Sequence, residues 1–155
     1  MRIIETVVDV NDKRKKQMAE KIIAACGGSV AGKTLCILGL TFKPNTDDMR
    51  DSPSVSIIPV LEAAGAKIQA YDPEGTHEAK KMLPNITYCD DAYAAMKGAE
   101  ALVLLTEWNQ FRNLDLERTK SLLKSPVVVD LRNVYTPADM RAAGFTYTCV
   151  GRPKA

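Results

Sequence analysis

Short apolar runs alternate with amphipathic segments along most of the chain. The runs at 34–38 and 101–105 show no regular alternation of polar and apolar residues, which is typical of strands covered on both faces of a sheet. The whole pattern predicts five strands and a last edge strand, at 34–38, 67–71, 86–88, 101–105, 127–129 and 145–149.

The amphipathic segments predict helices that carry recognisable start and stop signals. Apolar residues recur at helical spacing over 9–26, where a Gly-Gly pair ends the pattern. Ser52 and Thr136 each stand before a Pro, the signature of an N-cap followed by the first helical residue. Helices are expected at 9–26, 53–64, 76–82, 91–97, 114–123 and 137–144.

Repeated strand–helix–strand units at this spacing favour a parallel sheet with helices on both faces. The predicted fold is therefore α/β: a Rossmann-like three-layer domain with a mostly parallel sheet of about five or six strands, preceded by an N-terminal helix. In such sheets ligands bind beyond the carboxyl ends of the strands. The loops that begin at Leu40, Asp72, Thr106 and Asp130 should lie on that edge.

Composition narrows the class of protein further. The 155 residues carry a net charge of only +2, which argues against a nucleic-acid or membrane-surface partner, and four cations at 13–16 suit a solvated helix face. No stretch resembles a signal peptide or a membrane span, so no leader is expected. The four Cys are far apart and there is one His, a pattern that disfavours a metal site and fits a reducing cytoplasm.

The loop between the first predicted strand and the next helix holds the strongest candidate chemistry. It is long and polar, and it leads to a helix N-terminus, where backbone N–H groups can bind an anion. Lys43 and Arg50 could pair with phosphates there, although Arg50 could instead pair with a neighbouring Asp. The three aspartates of this loop, Asp47, Asp48 and Asp51, suit turn capping and cation pairing better than a metal site.

Other candidates are weaker on sequence grounds. The chain lacks G-x-G-x-x-G, so it carries no complete dinucleotide turn, and Asp72 suits a turn better than a ribose contact. Trp108, beside Glu107, could stack on a base but more simply covers the end of the sheet. No Cys lies in the setting of a nucleophile, so no catalytic residue is assigned.

Several stretches match one known family in the same order. GLTFKPNTDDMRDSPS, preceded by VNDKRKKQMAEKI and followed by AYDPEG, LLTEWNQF and VVVDLRNVY, resembles the C-terminal, nucleotide-binding domain of the UDP-glucose/GDP-mannose dehydrogenase family. The resemblance covers nearly the whole chain. The family's N-terminal domain, with its Gly-rich turn and catalytic Cys, has no counterpart in this sequence.

The resemblance implies roles for particular residues. Phe42 and Lys43 would contact a UDP-sugar such as UDP-glucose, Arg132 or its neighbour Asn133 would contact the same substrate, and Arg50 would lie towards NAD. Residues 1–28 would be the end of a helix that connects two domains, and 29–155 the substrate-binding domain.

The same resemblance implies which domain binds the cofactor and which binds the substrate. NAD would be bound mainly by an N-terminal domain of the same enzyme, which would be a homo-oligomer at full length, and the isolated domain would be inactive. The alternatives are the same domain from a GDP-mannose or UDP-N-acetyl-sugar dehydrogenase, or a free-standing nucleotide-binding or assembly module that never performed catalysis.

Overall fold

The computed structural model describes residues 2–50 and 52–150, and for residues 2–12 and Lys15 it describes the backbone alone. Helices and strands alternate through this part of the chain. The helices are α1 Arg2–Ala25, α2 Pro53–Ala63, α3 Thr76–Met82, α4 Ala92–Met96, α5 Leu116–Leu122 and α6 Pro137–Ala142, with a 3₁₀ helix at Asn109–Asn113. The strands are β1 Thr34–Leu38, β2 Lys67–Tyr71, β3 Thr87–Tyr88, β4 Ala101–Leu104, β5 Val127–Asp130 and β6 Thr146–Cys149.

All six strands form one parallel sheet in the order β3-β2-β1-β4-β5-β6. The predicted parallel α/β fold is confirmed, and this order is that of the doubly wound dinucleotide-binding sheet. The chain reverses its direction of sheet growth between β1 and β4, which are direct neighbours. That reversal creates a crevice at the carboxyl ends of the strands, where such sheets bind ligands.

The sheet is covered on both faces, as the apolar runs predict. Leu35 and Ile37 of β1 belong to a core shared with α1 and α2. Cys36 and Leu38, which point to the opposite face, belong to a second core shared with α4 and α6. All four side chains are fully buried, so β1 lies at the centre of a three-layer domain.

Capping residues explain most helix starts. Ser52 caps α2 with Pro53 at the first position, and Thr136 caps α6 in the same way, as predicted. The helix predicted from residue 114 begins instead at Leu116, because the Asp115 carboxylate caps it by accepting a hydrogen bond from the Arg118 N–H at 3.1 Å. The residues before it form the 3₁₀ helix, which the apolar spacing did not reveal.

The first helix is longer than its amphipathic pattern indicates. It begins at Arg2, and Ala19 and Ile22 bury it against the first core. Lys13 and Arg14 are exposed, in agreement with a solvated face, whereas the side chains of the apolar start that includes Ile3 and Ile4 lie outside the described residues. No helix among the described residues is long and apolar enough to cross a membrane.

Candidate functional site

The carboxyl ends of five strands lie in one row across the sheet. Leu38 pairs with both Tyr71 and Leu104, Leu104 pairs with Asp130, and Asp130 pairs with Cys149. The loops after β1, β2, β4 and β5 therefore leave the sheet side by side, as predicted. We call the edge formed by these loops the carboxyl rim.

Asp72 joins the loop after β2 to the loop after β1. It is 2% exposed, and its Oδ2 accepts hydrogen bonds from the Leu40 N–H at 2.7 Å and the Thr41 N–H at 3.2 Å. Its Oδ1 accepts from the N–H groups of Glu74 at 3.0 Å and Gly75 at 2.6 Å. Both oxygens are thus engaged by backbone donors, and Asp72 organises the rim instead of presenting a carboxylate to a ribose.

The loops after β1 and β4 approach each other even more closely. The Thr106 hydroxyl donates to the Thr41 carbonyl oxygen at 3.0 Å, and both side chains are buried. Gly39 has φ of +92°, and a Cβ at that position would lie 2.5 Å from the Thr106 Cβ. Only glycine combines this backbone conformation with so close a neighbour.

The side chains of Phe42 and Lys43 project from the loop after β1 into solvent. The Phe42 N–H donates to the Asp48 carbonyl oxygen at 2.8 Å, which closes the loop after β1 on itself. The Phe42 side chain is nevertheless 48% exposed, one of the two large apolar side chains that are exposed among the described residues. Lys43 is exposed beside it. A fixed backbone thus presents an aromatic ring and an ammonium group at the rim.

Arg50 lies in the same loop, with its side chain 89% exposed and bound to Asp48. Its Nε and Nη2 each lie 3.0 Å from an Asp48 carboxylate oxygen, and this pairing is the main reason that the pKa of Asp48 lies below its ordinary value. The pairing with a neighbouring Asp that the sequence allowed is therefore present. The Arg50 side chain is accessible to solvent, but its Nε and Nη2 already donate to the Asp48 carboxylate.

The start of α2 is not open as an anion site in the way that the sequence suggested. The Ser54 N–H donates to the Ser52 Oγ at 3.3 Å, and the Val55 N–H donates to the Ser52 carbonyl oxygen at 3.1 Å. Ser52 and Ser54 are both buried, and their hydroxyls donate to the Leu40 carbonyl oxygen. These groups fasten α2 to the loop after β1.

Arg132 is paired across the rim with Glu107, which follows the adjacent strand. The Arg132 Nη2 lies 3.0 Å from the Glu107 Oε1, and the Arg132 Nε binds the other carboxylate oxygen. The hydrogen bonds from Arg132 are the main reason that the pKa of Glu107 lies below its ordinary value, and the same hydrogen bonds raise the pKa of Arg132. Both residues are candidates on sequence grounds, but their pairing was not predicted.

Asp130 and Asn133 fix the backbone on each side of Arg132. The buried Asp130 carboxylate accepts from the Arg132 N–H at 3.1 Å, the Tyr135 N–H at 2.9 Å and the Tyr147 hydroxyl at 2.5 Å. Asn133 has φ of +52°, and its side-chain amide binds the backbone of Val150 in both directions. That amide is engaged, whereas the Arg132 guanidinium has more N–H donors than the two that bind Glu107, so Arg132 is the better candidate for a ligand contact.

Trp108 covers the end of the sheet, as the simpler interpretation held. It is 6% exposed and packs in the second core, and its Nε1 is buried without a hydrogen-bond partner among the described residues. It is the only Trp of the chain.

No group of three or more possible metal ligands occurs among the described residues. A cavity of about 260 Å³ lies at the opposite edge of the sheet, between residues that include Glu62, Lys67 and Asn85. That cavity is remote from the carboxyl rim.

The sheet order and the rim define the chain as an α/β domain of the Rossmann class, with its ligand-binding edge at the reversal between β1 and β4. Residues 36–137 match the UDP binding domain of the UDP-glucose/GDP-mannose dehydrogenase family. The chain belongs to that family, and it corresponds to the family's UDP-binding domain.

Similar proteins agree with this assignment. The chain is 50% identical to the UDP-glucose 6-dehydrogenase of Rhizobium meliloti over 153 residues, which is 99% of this chain and 35% of that protein. It is 41% identical to the UDP-glucose 6-dehydrogenase TuaD of Bacillus subtilis, over 98% of this chain and 33% of that protein. A UDP-glucose dehydrogenase structure from Pyrobaculum islandicum superimposes with a TM-score of 0.76 at 32% identity, covering 96% of this chain and 32% of that one. The chain thus spans about a third of the length of these relatives.

Proposed function

We infer that this chain is the part of an NAD-dependent UDP-glucose 6-dehydrogenase that holds the UDP-sugar. The observation that carries the proposal is the 50% identity to a UDP-glucose 6-dehydrogenase over nearly the whole chain. The carboxyl rim supports it, because an exposed aromatic ring, an exposed ammonium and a guanidinium lie on loops that are tied together. These are suitable groups for an anionic nucleotide sugar.

Within the proposal, Phe42 and Lys43 contact the substrate from the loop after β1, and Arg132 contacts it from the loop after β5. Lys43 supplies a compact charge, while Arg132 supplies a planar fork. Arg50 faces the cofactor side of a cleft formed with a second domain. Residues 1–28 are the end of the helix that leads from that domain, and 29–155 form the substrate-binding domain.

The residues of this chain do not fit a complete NAD site. The glycine-rich turn is missing from the loop after β1, and the Asp72 carboxylate is occupied by backbone donors. NAD is therefore assigned mainly to the N-terminal domain of the same enzyme, with Arg50 as the one contribution from this chain.

The thiols of the chain do not suit a nucleophile either. Burial raises the pKa of Cys36 well above its ordinary value and also raises the pKa values of Cys26 and Cys89, so these groups remain protonated at neutral pH. Cys149 is buried. The catalytic thiol would accordingly come from another part of the enzyme. The wide spacing of the four Cys along the sequence favours the reducing cytoplasm as its location, and a homo-oligomer is expected of the whole enzyme.

A chimera tests whether this chain holds the UDP-sugar while another domain supplies the NAD site and the thiol. The first two thirds of the Rhizobium meliloti enzyme would be joined to this chain in place of its own last third, and NADH formation would be followed with UDP-glucose. We expect turnover by the chimera and none by the 155-residue chain alone.

Two results would contradict the proposal. Turnover by the chain alone would mean that the catalytic groups lie within it. A folded chimera that oxidises GDP-mannose or a UDP-N-acetyl sugar in preference to UDP-glucose would reassign the substrate. The native enzyme and its own isolated last third serve as the matched controls.

A further inference from the structure

The ion pair between Glu107 and Arg132 joins the loops after β4 and β5 at the carboxyl rim. Two hydrogen bonds join the planar carboxylate to the Nε–Nη2 edge of the guanidinium, and the Arg132 and Glu107 side chains are only 37% and 26% exposed. Bidentate pairs of this kind fix the orientation of both groups, which a single contact does not. The pair therefore sets the direction in which Arg132 presents its remaining donors.

Both members of the pair stand on anchored backbone. Glu107 follows Thr106, whose hydroxyl binds the Thr41 carbonyl oxygen, and the N–H of Arg132 itself binds the Asp130 carboxylate. The strands that carry them are paired from Ala101 to Leu104 on one side and from Val127 to Asp130 on the other. Little backbone freedom remains to be lost when a ligand binds, which is the condition for a preorganised site.

The donor geometry of arginine then leaves one edge of the fork for a ligand. Glu107 occupies the Nε–Nη2 edge, and no other described residue forms a hydrogen bond with the Arg132 side chain, so the terminal Nη1–Nη2 edge is left for a ligand. Resting on the function proposed above, we propose that Glu107 is a positioning residue: it holds the Arg132 guanidinium so that this terminal edge meets the diphosphate of the UDP-sugar. The ion pair persists when the ligand binds.

Removal of the Glu107 carboxylate changes the affinity for UDP in one direction if Glu107 positions Arg132 and in the other direction if it acts only through its charge. Glu107 is a negative charge at a site for an anion, so its removal strengthens the attraction of the rim for UDP if only charge matters. If Glu107 positions Arg132, its removal weakens binding in spite of the added attraction. The two explanations predict opposite changes in the dissociation constant for UDP.

The experiment titrates UDP into the ¹⁵N-labelled chain and compares Glu107→Gln with the unsubstituted protein. Glu100→Gln is the matched control, because Glu100 stands just before β4, is 28% exposed and lies 4.0 Å from Lys124 at the other edge of the sheet. We expect Glu107→Gln to raise the dissociation constant about three- to tenfold, and Glu100→Gln to leave it unchanged. The Arg132 Nε–Hε resonance should remain observable after UDP is added and should change in Glu107→Gln.

A second variant pair excludes a merely structural role. Arg132→Ala should also weaken UDP binding, and Glu107→Gln should cause no further loss of affinity in the Arg132→Ala protein, because there is then no guanidinium to orient and only the removal of a negative charge remains. A general loss of structure would lower affinity in both backgrounds and would appear in urea unfolding of the single variants.

The results separate the proposed function from the positioning role of Glu107. Absence of UDP binding by the unsubstituted chain would overturn the proposed function and the role of Glu107 together. Binding that is equal or tighter in Glu107→Gln would overturn the positioning role alone. Binding that is unchanged in Arg132→Ala would overturn the positioning role and also the proposed contact between Arg132 and the substrate.

Discussion

Lys43 follows a buried central strand by only a few residues, and its ammonium is exposed at the carboxyl rim. It contributes no side chain to either core, so replacing it should alter ligand binding and leave the fold intact. This combination makes Lys43 the residue at which a substrate role is easiest to separate from a structural one.

We expect Lys43→Ala, placed in the two-domain chimera, to weaken UDP-glucose binding by about ten- to a hundredfold through the loss of one charge-assisted contact of about 1.5–3 kcal/mol. The free energy of unfolding should change by less than about 0.5 kcal/mol, as at ordinary surface positions. Titration calorimetry and urea unfolding measure the two quantities.

Lys97→Ala is the control for that substitution, because Lys97 is also an exposed loop Lys but lies before β4, away from the rim. Equal affinities of the two variants would mean that Lys43 is an ordinary solvated side chain. A large loss of stability in Lys43→Ala would instead mean that its ammonium supports the loop.

The sequence predicted which residues project at the rim better than it predicted what they bind. Lys43 and Phe42 are exposed as a loop after a central strand implies, and the pairing of Arg50 with an Asp of its own loop was foreseen as an alternative. The Glu107–Arg132 pair was not, because the two residues are far apart in sequence and meet only when β4 and β5 are neighbours. Local patterns contain no information on that adjacency.

At the scale of elements, two loops meet at Gly39. Its φ is +92°, and it packs against Thr106 so closely that a Cβ would lie 2.5 Å from the Thr106 Cβ. Gly28 has the same φ of +92° but has nothing within 4 Å of its Cβ position. The two glycines therefore share one backbone requirement and differ in packing.

Gly39→Ala should lower the free energy of unfolding by more than Gly28→Ala does. Both substitutions incur the cost of a left-handed residue, about 1–2 kcal/mol, and Gly39→Ala adds about 1–3 kcal/mol of overpacking against Thr106. Urea unfolding of both variants measures the difference. Equal losses would mean that the loops after β1 and β4 move apart at no cost and that the rim is not a fixed structure.

Element types and most boundaries follow from the sequence for a physical reason. The buried strands are continuous apolar runs, and Ser52 and Thr136 cap their helices just before a Pro, so the start of each helix is specified locally. The 3₁₀ helix at Asn109–Asn113 was not predicted, because so short a segment shows no periodic spacing of apolar residues. The anion site expected at the start of α2 is closed, because the N–H groups of Ser54 and Val55 both donate to oxygen atoms of the buried Ser52.

At the scale of the whole molecule, the parallel sheet follows from the alternation of strands and helices, but the position of β4 beside β1 does not. That placement brings the loops after β1, β2, β4 and β5 to one edge, and hydrogen bonds through Asp72, Thr106 and Glu107 then join them into a continuous surface. We propose that this surface binds the nucleotide of a UDP-sugar.

Mapping of UDP on the ¹⁵N-labelled 155-residue chain tests that claim most directly. We expect fast-exchange shifts of backbone amides in the loops after β1, β4 and β5, accompanied by a change in the fluorescence of Trp108, the only Trp of the chain. The dissociation constant should be no tighter than roughly 0.1 mM, because the family's other domain supplies part of the binding surface in our proposal. Shifts confined to the cavity around Glu62, Lys67 and Asn85, or no shifts at millimolar UDP, would contradict the account.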